Sequence, residues 1–149
     1  MEKVSEKDIF KRISKNARIS LRTSSLISEH LNSEYVEPEH ILVGILLNEN
    51  ALATKIVVGM GFEIKQIVGR VLGSSGLDIT ADINTKRDVK LSPSSKEVLR
   101  RAYDWSLRFS HVYVGTEHLM LSILESNNLY IKDIINMGLT QRRFRKNLF

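Results

Sequence analysis

The chain has 149 residues, of which 42% are hydrophobic and 26% charged, with a net charge of +5 and no cysteine. That size and balance suit a soluble domain with a real core, or two small units sharing one. They exclude disulfides, thiol catalysis and, in the absence of any run of about 18 apolar residues, a membrane-spanning helix.

The amino-terminal stretch MEKVSEKDIFKRISK is charged and lacks the apolar segment of a secretory signal, so a cytoplasmic location is expected. Residues 1–12 read as an extension carrying a short charged helix, with Ile9, Phe10 and Ile13 as apolar anchors. From residue 13 a regular pattern begins. Ser14 stands at a cap position, and Ala17, Leu21, Ser24, Ile27, Ser28 and Leu31 recur at steps of three and four, a helical stripe. YVEPEHILVGIL, residues 35–46, follows as a second and largely buried helix. A third helix, about 51–58, stops at Met60-Gly61, where glycine supplies the left-handed closing residue. A fourth runs over about 63–72. Residues 73–90, GSSGLDITADINTKRDVK, lack helical period and read as a linker.

The same order then returns. Ser92-Pro93 opens a helix as cap and first-turn proline, and Ser95, Leu99, Ala102, Trp105, Ser106 and Phe109 form its stripe. YVGTEHLMLSIL occupies 113–124, a third helix ends at Met137-Gly138, and a fourth covers about 140–148. At a fixed offset of 78, 11 of the 38 positions in 13–50 and 91–128 are identical. The expected fold is therefore all-α. Two tandem four-helix repeats, 13–72 and 91–149, pack as a pseudo-two-fold pair. Leu21, Ser24, Ile45, Leu46, Leu99, Ala102, Ile123 and Leu124 are the expected core, with Trp105 at its rim.

Catalytic motifs are missing. GxxxxGK[ST], GxSxG, HExxH and CxxC do not occur, so neither an enzyme, a bound nucleotide nor another cofactor is expected. His40 and His118 read as core histidines. A metal site would need the loop between His111 and His118 to fold back, and none is expected. Glu39 and Glu117 each fall in the first turn of a repeated helix. One reading is that each complements the helix dipole and its free N–H groups. The other is a binding site: the helix start attracts an anion while the carboxylate offers a fork to a guanidinium. Phosphoarginine is a group of that kind. The basic tail QRRFRKNLF is either a solvated helix face or a contact for an anionic partner. Nucleic-acid binding is the poorer alternative, because only Phe144 interleaves the basic residues and no stacking platform forms.

The duplicated unit, the [GE]-[TP]-E-H-[IL] helix start and the Met-Gly helix stop resemble the N-terminal domain of Clp ATPases, nearest the ClpC and ClpA branch. The resemblance covers roughly residues 13–149. It implies a non-catalytic module, seated on a hexameric AAA+ motor, that receives protein substrates and adaptors for the Clp protease. It also implies a phosphoarginine pocket at Glu39 and at Glu117, the latter with Gly115 and Thr116. The first copy departs from the pattern, since Glu37-Pro38 replaces Gly-Thr. That departure predicts unequal sites with binding mainly at Glu117, and with Lys96 and Arg108 as candidate phosphate attractors. A free-standing Clp-N protein that regulates or assembles the protease is the alternative.

Overall fold

A computed structural model describes residues 4–73 and 90–148. Nine helices are present among them: α1 (Glu6–Arg12), α2 (Lys15–His30), α3 (Pro38–Leu46), α4 (Leu52–Gly59), α5 (Ile64–Leu72), α6 (Pro93–Arg108), α7 (Thr116–Ile123), α8 (Leu129–Asn136) and α9 (Gln141–Lys146). The inferred linker lies outside the described residues except for Gly73 and Lys90.

Local chemistry sets the helix limits. The Ser14 and Ser92 hydroxyls accept the backbone N–H groups of Ala17 and Ser95, each at 3.1 Å, and so satisfy donors that the first turn leaves free. Gly61 and Gly138 end the third helices at φ of 95° and 111°, where a side chain would be strained. Two closures carry no such signal in the sequence. Asn32 and Ser110, 78 residues apart, adopt φ of 55° and 58° after α2 and α6. Each is followed by a residue whose N–H returns to the helix, Ser33 to Ser28 O at 2.8 Å and His111 to Ser106 O at 2.9 Å.

The pseudo-two-fold arrangement appears in the backbone pairing. Val114 N–H donates to Arg12 O at 3.0 Å and Ser14 N–H to Val114 O at 2.9 Å. The mirror pairing joins Val36 N–H to Lys90 O at 2.8 Å and Ser92 N–H to Val36 O at 3.1 Å. The segment before the first helix of each repeat therefore pairs with the segment before the second helix of the other, an exchange of identical contacts. Within each repeat the first and second helices pack together, α2 on α3 and α6 on α7, and α3 meets α7 between the repeats. The eight expected core residues are all buried. Trp105, expected at the rim, is also inside at 6% exposure, because its indole fills the space between α6 and the covering side chains of Arg108 and Arg145. In the extension, α1 packs on α6 of the second repeat with Ile9 and Ile13 buried and Phe10 partly so.

The repeats differ where their inner helices touch. A Cβ on Gly44 would strike the Ser20 carbonyl and the Ser24 hydroxyl of α2, so glycine permits that close approach. The equivalent Ser122 instead donates its hydroxyl to Val98 O at 2.6 Å.

Candidate functional site

The two EH motifs open α3 and α7, with Glu37 and Gly115 as the residues before each first turn. Their histidines have one job in common. His40 Nδ1 accepts the Glu37 N–H at 2.9 Å, and His118 Nδ1 accepts the Gly115 N–H at 2.8 Å. Each imidazole thus secures the chain entering its helix, and burial pushes both histidines below their ordinary pKa.

Around α7 the polar groups are closed on one another. Glu117 is 5% exposed, with Oε2 accepting the Tyr113 hydroxyl at 3.0 Å. Its carboxylate folds back over Gly115, where a Cβ would collide with Oε1 and with the Tyr113 ring. Burial, then the Glu117 charge, raises the Tyr113 pKa. Thr116 is buried too, and its hydroxyl accepts the Ala53 N–H at 3.2 Å. Ala53 lies in the first turn of α4, a helix whose own cap residue, Ala51, supplies no side-chain bond. The second repeat therefore caps a helix of the first. The start of α7 is closed to solvent, its Thr116 hydroxyl taken up by Ala53 and its first turn packed against α4.

His111 continues this cluster. Its Nδ1 lies 2.9 Å from His118 Nε2, and its ring stacks on Tyr113 with centroids 5.1 Å apart. The Gly115 N–H occupies His118 Nδ1, so the His118 proton sits on Nε2 and is donated to His111. Burial and the neighbouring His111 bring His118 down to about 4. No group of three metal-ligating side chains occurs among the described residues.

Around α3 the arrangement is more open. Pro38 stands where Thr116 stands in the other copy, and the matching helix α8 is capped by its own Asn128, whose Oδ1 accepts the Tyr130 N–H at 2.8 Å. Asn128 Nδ2 then donates to Glu39 Oε1 at 2.9 Å. Glu39 is half-buried, and its neighbour Pro38 and partner Asn128 help to wall a cleft of about 430 Å³ together with Ser94, Glu97, Arg101 and Glu125. Arg101 is pinned there, with Nε donating to Glu97 Oε1 at 3.0 Å and Nη1 lying 3.7 Å from Glu125 Oε2. Hydrogen bonds from Arg100 and Arg101 hold the Glu97 carboxyl down at about 2. Of the two expected phosphate attractors, Lys96 lies 4.0 Å from Glu6, and Arg108 sits 4.7 Å above the Trp105 ring.

Gly115, Thr116 and Glu117 are consecutive at the start of α7, and the sequence does not single out Tyr113, Ala53 or Asn128 as their partners or counterparts. The Tyr35/Tyr113 repetition was the available signal for the first of these. The other two depend on contacts between repeats. The model for the Clp repeat (R) N-terminal domain matches residues 12–137. The chain belongs to that family. Among curated relatives of this Clp-N domain, the ClpA homolog of Cyanidium caldarium, an ATP-binding subunit of Clp protease, is 28% identical over 96% of the chain, which spans 16% of that protein. Two solved structures share the fold. The N-terminal domain of ClpD from Arabidopsis thaliana has a TM-score of 0.70 at 18% identity, covering 94% of this chain and 96% of that one. The N-domain of ClpV from Vibrio cholerae has a TM-score of 0.75 at 14% identity, covering 99% and 89%. No described helix is long and apolar enough to cross a membrane.

Proposed function

We propose that this Clp-N domain docks substrate or adaptor proteins for a Clp-type AAA+ ATPase, taking a guanidinium-bearing side chain, phosphoarginine foremost, at the glutamates of its two EH motifs. The observation that carries this reading is the cleft beside Glu39. A half-exposed carboxylate held by Asn128 stands next to a cavity whose wall carries the fixed guanidinium of Arg101. Glu39 takes the ligand's guanidinium, and Arg101 meets the phosphoryl group by giving up its pairing with Glu97 and Glu125. Such charge-assisted contacts are the strong class of hydrogen bond.

This reverses the ranking that the motifs alone suggest. Gly115, Thr116 and Glu117 form the second site, but there Tyr113 and Ala53 already occupy the polar groups, so a ligand must displace the Tyr113 hydroxyl to reach Glu117. Calorimetric titration of phosphoarginine into the wild type, Glu39→Ala, Glu117→Ala and Arg101→Gln tests the proposal. Glu39→Ala is expected to lose roughly 10- to 100-fold in affinity, the equivalent of one charge-assisted bond, and Glu117→Ala much less. Equal losses overturn the ranking, and a wild type that binds neither phosphoarginine nor an arginine-rich peptide overturns the site.

A further inference from the structure

A second charged feature lies where Arg145 of α9 reaches Trp105 of α6, whose indole N–H donates to the Glu125 carboxylate. Trp105 is the single tryptophan of the chain. Two guanidinium groups lie over its indole, Arg108 with its central carbon 4.7 Å from the ring centroid and Arg145 at 5.3 Å. The two cations therefore stand within about 10 Å of each other. The fully buried Phe144 fixes the register of α9 and with it the position of Arg145. Phe109 stacks on Trp105 at 5.8 Å and stiffens the platform.

These arginines lack the partners that their neighbours have. Arg100 and Arg101 pair with Glu97, and Arg70 with Asp133. Arg143 spends its Nη1 on Gly138 O at 2.7 Å. Arg108, Arg142, Arg145 and Lys146 have no ion pair with any described residue and are exposed. Like charges gathered on one ring repel one another until an anion joins them. Stacking on an indole orients a guanidinium without using its N–H groups, so the fork stays available.

We infer that the Trp105 face, with Arg108 and Arg145 as its two grips, is a docking surface for an acidic peptide segment. Two carboxylates on one side of a peptide, about 6–7 Å apart in a strand or about 5–6 Å at helical i,i+4, fall within the upper limit on the distance between the two cations. The indole itself is buried and offers no stacking face to a nucleobase, which favours a peptide over a nucleic acid.

Trp105 makes the test direct, since it reports from within the surface. Its emission is followed while a ten-residue polyglutamate peptide is titrated at low and at high salt. The expected result is a saturable change, weakened by salt, with affinity lower by about 10-fold or more in Arg108→Gln/Arg145→Gln. Arg142→Gln/Lys146→Gln removes the same charge and is expected to lose less than about 3-fold, a difference diffuse attraction would not produce. Arg108→Lys/Arg145→Lys keeps the charge but not the fork, and is expected to fall between. Equal losses in the first two variants, or no saturable response, overturn the inference. So does tighter binding of a thymidine decanucleotide, which would assign the face to nucleic acid.

Discussion

Acid should destabilise this domain through His118. Its pKa is about 4 in the folded chain against an ordinary 6.5, because the ring is buried and His111 faces it. A proton would have to sit on Nδ1, the atom that accepts the Gly115 N–H. The unfolded chain therefore takes up a proton near pH 6.5 while the folded chain resists until about 4. Stability is fully present above 6.5, falls as pH drops through that window, and levels off below it. A gap of about 2.5 between the two pKa values, at 1.36 kcal/mol for each whole step, corresponds to roughly 3 kcal/mol. That is a large share of the about 5–15 kcal/mol that holds a domain of this kind folded. His40, lowered in the same direction, adds to the wild-type slope, so the comparison that isolates His118 is with His118→Gln. Urea unfolding is measured for both proteins at pH 7.0, 5.5 and 4.5. The variant should start less stable, having lost its cap, and decline less steeply. Parallel declines would refute the reasoning, since they would mean that His118 titrates alike in both states.

Three further outcomes follow from packing. Thr116→Val should cost about 1–2 kcal/mol by leaving the Ala53 N–H unpaired, and hydrogen exchange should quicken at that amide. Gly44→Ala should destabilise by about 1–3 kcal/mol in urea, because its methyl group meets the Ser20 carbonyl. Leu46→Ala and Leu124→Ala, at 2% and 4% exposure, should each lose about 2–5 kcal/mol, and a loss below about 1 kcal/mol would contradict their burial.

What the sequence made legible was what spacing encodes. The stripes of α2 and α6, the Ser14 and Ser92 caps and the Gly61 and Gly138 stops are all properties of a few consecutive residues. The burial of Trp105 was not legible, because Arg145, which helps cover it, lies 40 positions away along the chain. Nor was the closed state of Glu117. A glutamate in the first turn looks the same on paper whether the helix start faces water or another helix. The contact that decides it, Thr116 with Ala53, spans 63 residues. In sequence, Glu39 and Glu117 differ in setting only by one glycine and one threonine. The larger difference lies opposite them, at Asn128 and Ala51.

The crosswise capping bears on how two copies of one unit drift apart. Thr116 serves the amide of Ala53, and the counterpart amide, Tyr130, is served from inside its own repeat by Asn128. Position 38 is thereby released from duty and can hold a proline, which has no hydroxyl to lend. Freedom at position 38 thus goes with the side chain at position 128, ninety residues downstream. Grafting Thr116 into position 38 would duplicate a service already performed. Changing Asn128 to alanine while Pro38 remains would strand α8 without a cap and loosen the hold on Glu39 in the same stroke. The first copy can therefore be redesigned only through the second.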